Sequence, residues 1–188
     1  MKVKYVIACL VFLCCMACSD DDEAATPLSN LGRFDGWQIT TVESNLAEQI
    51  SDAIYALPDS VIAQNDTTRV GLLAAQEDYI NRLTGLEPCE QDDVLFFESG
   101  VSAYGRTGEP CPATGNTHIL TPFHEKSYSS DLEVTRLTLT DPVSGGVSEY
   151  NVERISASEL VLSQQRTTSN AGIIPAYTYN IRYRFTAR

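Results

Sequence analysis

The C-terminal run Tyr177-Thr178-Tyr179-Asn180-Ile181-Arg182-Tyr183-Arg184-Phe185-Thr186 decides how this chain folds. Tyr177, Tyr179, Ile181, Tyr183 and Phe185 alternate with polar residues. Period two over such a length puts every second side chain on one face of a β-strand, and an apolar face backed by a polar one is a strand buried on one side. Core packing is the ordinary role of that face. Its hydroxyls also make Tyr177, Tyr179 and Tyr183 candidates for lining a ligand cavity.

Upstream, the same kind of segment recurs with turns between. Glu149 to Ile155 and Glu159 to Gln165 read as strands, and Ser144-Gly145-Gly146 marks a turn before them. Leu132 and Val134 alternate, then Leu137 and Leu139 alternate out of phase, which predicts a β-bulge near Thr135-Arg136. His118 to Phe123, Val101 to Gly105 and Val94 to Phe97 supply three more strands, the last two joined by a turn at Glu98-Ser99-Gly100. Gly36 to Val42 supplies the first, with Trp37, Ile39 and Thr41 on one face. Eight strands in sequence, mostly joined by short turns, predict a mainly β fold. The expected form is an antiparallel up-and-down barrel, with a β-sandwich as the alternative. Eight strands enclose an interior just wide enough for side chains or one small ligand. Trp37, the only tryptophan, joins the three tyrosines as a candidate lining residue, although core packing explains most of its presence.

Between the first two strands the period changes. Leu46, Ile50, Ile54, Leu57 and Val61 recur at helical spacing, and Pro58 ends or kinks that helix. Val70, Leu73, Ala74, Glu77, Ile80 and Leu83 form a weaker second stripe after the capping oxygens of residues 65–68, and Gly85 and Pro88 stop it. A two-helix insertion is expected, acting as a lid or as a plug.

The N-terminus is of another kind. Lys2 and Lys4 precede an apolar run from Tyr5 to Ala17. As a helix it covers about 20 Å, too short for a bilayer core of about 30 Å. A basic start, an apolar middle and a small residue at the boundary describe a secretory signal. Cys15-Met16-Ala17-Cys18 resembles a bacterial lipobox, and Ser19-Asp20-Asp21-Asp22-Glu23 resembles the acidic tag of surface lipoproteins of the Bacteroidota. The resemblance implies lipidation at Cys18, attachment to the outer membrane through that lipid and exposure on the cell surface. Read from the residues alone, the acidic run is a solvated tether. The expected organisation is a signal peptide over 1–17, a tether over 18–29 and a β domain over 30–188.

With residues 1–17 removed and Cys18 lipidated, Cys89 and Cys111 remain. Outside the cytoplasm they are expected to form a disulfide. Two free thiols, or a metal site with His118 or His124, are the alternatives; no Cys-x-x-Cys knuckle supports the metal.

Gly36-Trp37, then Cys89-Glu90-Gln91-Asp92-Asp93 leading to Phe96, Phe97 and the Gly100 turn, then Cys111, resemble the lipocalin-like domains of Bacteroidota lipoproteins. The resemblance runs from about Leu31 to Arg188. It implies a barrel that holds a small apolar or amphipathic molecule, without naming one. Here glycine and tryptophan are adjacent, where lipocalins space them Gly-x-Trp.

Other chemistry is excluded or unsupported. A net charge of −12 with 13 dispersed basic residues excludes a nucleic-acid surface. Glu90, Asp92 and Asp93 lack the spacing of a calcium loop and read as a turn. No Gly-x-Ser-x-Gly elbow or phosphate loop is present. The expectation is therefore a non-enzymatic lipoprotein without cofactor or metal. It binds a small apolar or amphipathic ligand or, alternatively, serves as a surface interaction protein for a protein or glycan.

Overall fold

A computed structural model describes residues 26–98, 100–105 and 119–188. The signal peptide, Cys18, Cys111, His118 and the loop around Pro110 lie outside the described residues. Eight strands form a closed antiparallel barrel in sequence order. They are β1 (Trp37–Ser44), β2 (Val94–Glu98), β3 (Val101–Gly105), β4 (Lys126–Ser130), β5 (Arg136–Thr140), β6 (Val147–Ile155), β7 (Glu159–Thr167) and β8 (Thr178–Ala187). β8 closes on β1, with Trp37 opposite Ala187 and Ser44 opposite Ile181. The alternating run of β8 is the longest strand and pairs from Thr178 to Thr186 with β7. The barrel is therefore the predicted one, and no sandwich forms.

One end of the barrel is shut by the chain that enters it. A short helix, α1 (Pro27–Leu31), begins three residues before the expected start of the folded region at Asn30. Thr26 caps it, its Oγ1 accepting from the Ser29 N–H at 3.2 Å, and Pro27 starts it where a missing N–H costs nothing. Leu31 and Trp37 are fully buried, and the Trp37 indole N–H donates to the Leu31 carbonyl at 3.0 Å. Gly36 makes this packing feasible. Its φ is +75°, and a Cβ there would stand 2.4 Å from Val94 Cγ1.

The other end is covered by helices between β1 and β2. The expected pair is three: α2 (Leu46–Tyr55), α3 (Asp59–Gln64) and α4 (Arg69–Thr84). Pro58 breaks the first stripe, so the helical phase restarts and Ile62 is buried where Val61 was expected. Leu46, Ile50 and Ile54 are fully buried. Each such side chain contributes about 1.5–3 kcal/mol, so α2 is a plug. By contrast, α4 buries no residue fully; Leu72, Leu73, Tyr79, Ile80 and Leu83 rest half-buried on the core.

Three local readings are corrected. Thr41 is exposed rather than sharing a face with Ile39, because a bulge between Ile39 and Thr41 shifts the phase and brings Val42 toward the core instead. The slip near Thr135-Arg136 is a turn, not a bulge. Asp131 Oδ1 accepts from the N–H groups of Thr135 at 2.6 Å and Arg136 at 3.3 Å, while Val134 is buried with φ of +52°. The expected strand over His118 to Phe123 is, in its described part, a turn and a 3-10 turn at Thr121–Phe123; the fourth strand is Lys126–Ser130. That strand was illegible because Tyr128 is its one large apolar residue.

Candidate functional site

The interior of the barrel changes character along its length. Its middle is aromatic. Phe123 enters from the loop before β4 and lies 5.1 Å from Tyr150, 5.2 Å from Tyr183 and 6.0 Å from Phe185, centroid to centroid. The Ser102 hydroxyl, fully buried, donates to the Phe123 carbonyl and fixes the loop. Toward the helix-covered end this packing gives way to polar groups.

The register explains how. On β7 the residues facing the core are Leu160 and Leu162, and the same alternation carries Gln164 and Arg166 inward. Gln164 lies opposite Ile181, and Arg166 opposite Tyr179. The Arg166 Nε donates to Gln164 Oε1 at 2.6 Å, and an Nη lies 3.5 Å from the Tyr183 hydroxyl. Among the described residues no carboxylate pairs with this guanidinium. An arginine stays charged at any physiological pH, so its charge is left uncompensated here.

Tyrosines surround it. Tyr150 and Tyr183 are each about 1 % exposed and Tyr179 3 %. Tyr79 reaches the group from α4, where burial and then the neighbouring Tyr179 and Tyr177 push its hydroxyl up to about 12. Burial likewise raises Tyr150, Tyr177 and Tyr183. These four are thus neutral hydroxyls near neutral pH, able to donate hydrogen bonds but supplying no negative charge. The Tyr150 hydroxyl is buried within reach of the Arg166 guanidinium, but the two do not form a well-aligned hydrogen bond.

Of the residues singled out in the sequence, Tyr177, Tyr179 and Tyr183 come together on this interior face. Trp37 does not join them. It sits at the opposite end of β1, about seven residues or roughly 23 Å along the strand direction from Ser44. There Arg33 covers its ring at 5.0 Å from guanidinium to centroid. Cys89 lies in a 3-10 turn at Pro88–Glu90, and its expected partner Cys111 is outside the described residues. Glu90 is buried and structural: Oε2 accepts from the Glu87 N–H at 3.0 Å and Oε1 from the Ile119 N–H at 2.8 Å. His124 lies beside Glu125 at 3.6 Å.

Sequence reasoning missed Arg166, Gln164, Tyr150 and Tyr79. A signal for Arg166 existed. Carrying β7 beyond Gln165 places a charged residue on the Leu160 and Leu162 face, which is unusual for a buried face.

Outside the barrel, β6, β7, β8 and the end of β1 line an open polar trough of about 680 Å³ that includes Asn151, Gln165 and Asn180. Its charges are matched internally, for Arg182 bridges Glu43 at 3.2 Å and Glu153 at 2.7 Å. Comparison with protein-family models, curated proteins and solved structures finds no match to this chain.

Proposed function

We propose that this protein is a surface-tethered, lipocalin-like lipoprotein whose barrel binds a small amphipathic molecule at the helix-covered end, without catalysis. One observation carries the reading: an otherwise apolar interior turns polar at that end, around Arg166 and the tyrosine hydroxyls. Ligand sites are mostly apolar with a few convergent polar groups, and this end has that composition. The loosely packed α4 supports the reading further, because a cover that buries no residue fully opens at low cost.

Mass spectrometry of small molecules released from the purified full chain tests the binding. An amphipathic molecule in stoichiometric amount is expected, and a clean protein that also takes up no amphipathic probe would sink the proposal. The tether at Cys18 rests on the lipobox and the acidic run. Cys18→Ser is expected to release the protein from membranes, whereas continued attachment would refute lipidation. The Cys89–Cys111 disulfide belongs to the same extracellular reading, and two reactive thiols in unreduced protein would contradict it.

The alternative, a surface protein that recognises a glycan or another protein, draws on the polar trough over β6, β7 and β8. The trough is the weaker candidate because Arg182 already spends its charge on Glu43 and Glu153.

A further inference from the structure

We propose that Arg166 and Tyr150 form the head-group site for a single carboxylate on the bound molecule; this rests on the binding function proposed above. Two neighbouring observations converge on it. The first is the uncompensated guanidinium. Arg154, Arg182 and Arg184, on the two strands that flank β7, each pair with a carboxylate, whereas Arg166 meets only Gln164 Oε1 and neutral tyrosine hydroxyls. The second is the Tyr150 hydroxyl on the neighbouring strand, buried within reach of the Arg166 guanidinium and without a well-aligned hydrogen bond among the described residues. The same interior thus holds an unspent cation and an unspent hydroxyl.

The donor set selects the chemistry. A carboxylate offers two oxygens in the geometry that a guanidinium fork accepts, with lone pairs left for a tyrosine O–H. One cation matches one negative charge. A phosphate monoester, close to dianionic at neutral pH, would bring a surplus charge into a partly buried site. Beside this group α4 rests its half-buried Leu72, Leu73, Ile80 and Leu83 on the core, an apolar seam that a ligand could share. The carboxylate is therefore expected to carry an aliphatic body, as a fatty acid does.

Isothermal titration of the full chain with dodecanoate, 1-dodecanol and dodecyl phosphate, each below its aggregation threshold, tests this. Dodecanoate should bind at least tenfold more tightly than 1-dodecanol. Arg166→Met should cost dodecanoate at least tenfold and leave 1-dodecanol unchanged, and Tyr150→Phe should cost dodecanoate a few-fold. Equal affinity for acid and alcohol, unaffected by Arg166→Met, would overturn the head-group site while leaving ligand binding intact. No binding of any probe would remove both proposals. Tighter binding of dodecyl phosphate than dodecanoate would overturn the assignment to a carboxylate. If circular dichroism shows Arg166→Met unfolded, Arg166→Lys takes its place. It keeps the charge and loses the fork, so a selective loss of dodecanoate affinity is expected, and unchanged affinity would overturn the guanidinium's role.

Discussion

The two ends of this barrel each set an arginine among aromatic rings, with opposite electrostatic results. At the closed end Arg33 covers Trp37 and engages all three nitrogens of its guanidinium. Nε and one Nη grip Asp35 at 2.6 and 3.0 Å, and the other Nη donates to the Ala157 carbonyl at 2.6 Å. At the helix-covered end Arg166 has an amide oxygen and hydroxyls, and no carboxylate among the described residues. The first arrangement is a finished structural joint. The second keeps a charge in reserve within a half-buried site, which folding alone gives no reason to keep. An arginine beside aromatic rings is thus uninformative by itself; whether its charge is matched separates a clasp from a site.

Core truncation should produce the largest effects and test whether the middle joins the two ends. Phe123→Ala removes a ring packed on Tyr150, Tyr183 and Phe185 and should cost about 3–5 kcal/mol in urea unfolding. A loss below about 1 kcal/mol would mean that the loop bearing Phe123 is dispensable. Next, Gly36→Ala combines a disfavoured left-handed φ with a clash against Val94 and Phe96 and should cost about 1–3 kcal/mol, lowering the melting temperature. The arginines break the comparison directly. Arg33→Met should lower the urea midpoint modestly, through the lost hydrogen bonds and the lost contact with the Trp37 ring, because its pair with Asp35 is solvent-exposed, whereas Arg166→Met should leave stability unchanged or raised. Equal losses in the two variants would erase the distinction between the ends.

The smallest expected effect is alkaline. Tyr79 titrates at about 12 in the folded protein and near 10 when unfolded. Below pH 10 both states hold the proton and its contribution is complete. As pH rises from 10 toward 12 the unfolded state releases the proton first, so stability falls. Urea midpoints measured at pH 9 and 11 should therefore drop less for Tyr79→Phe than for the wild type. An identical drop would mean that α4 does not hold Tyr79 against the barrel.

Much of the fold was legible because it depends on local alternation. β8 reads directly from Tyr177 to Phe185, and α2 from Leu46, Ile50 and Ile54. Legibility failed where a single residue changes the phase. The bulge at Thr40 and the break at Pro58 each turn the following side chains to another face, and β4 carries too little apolar surface to be seen. Half of the candidate site was visible as the tyrosines of β8. The other half was not, because Arg166 lies beyond the apolar part of β7 and Tyr79 belongs to a helix with a weak stripe.

The sequence by itself determined the strand count and the presence of a helical insertion after the first strand, since each follows from periodicity along the chain. Only the tertiary structure decided that Trp37 and the tyrosines stand at opposite ends, that Glu90 is spent on backbone N–H groups, and that Arg166 has no counter-charge among the described residues. Those are facts about neighbours from other strands. Barrel closure, which pairs β8 with β1 across some 140 residues, chooses those neighbours through register, and register is a property of the assembled sheet.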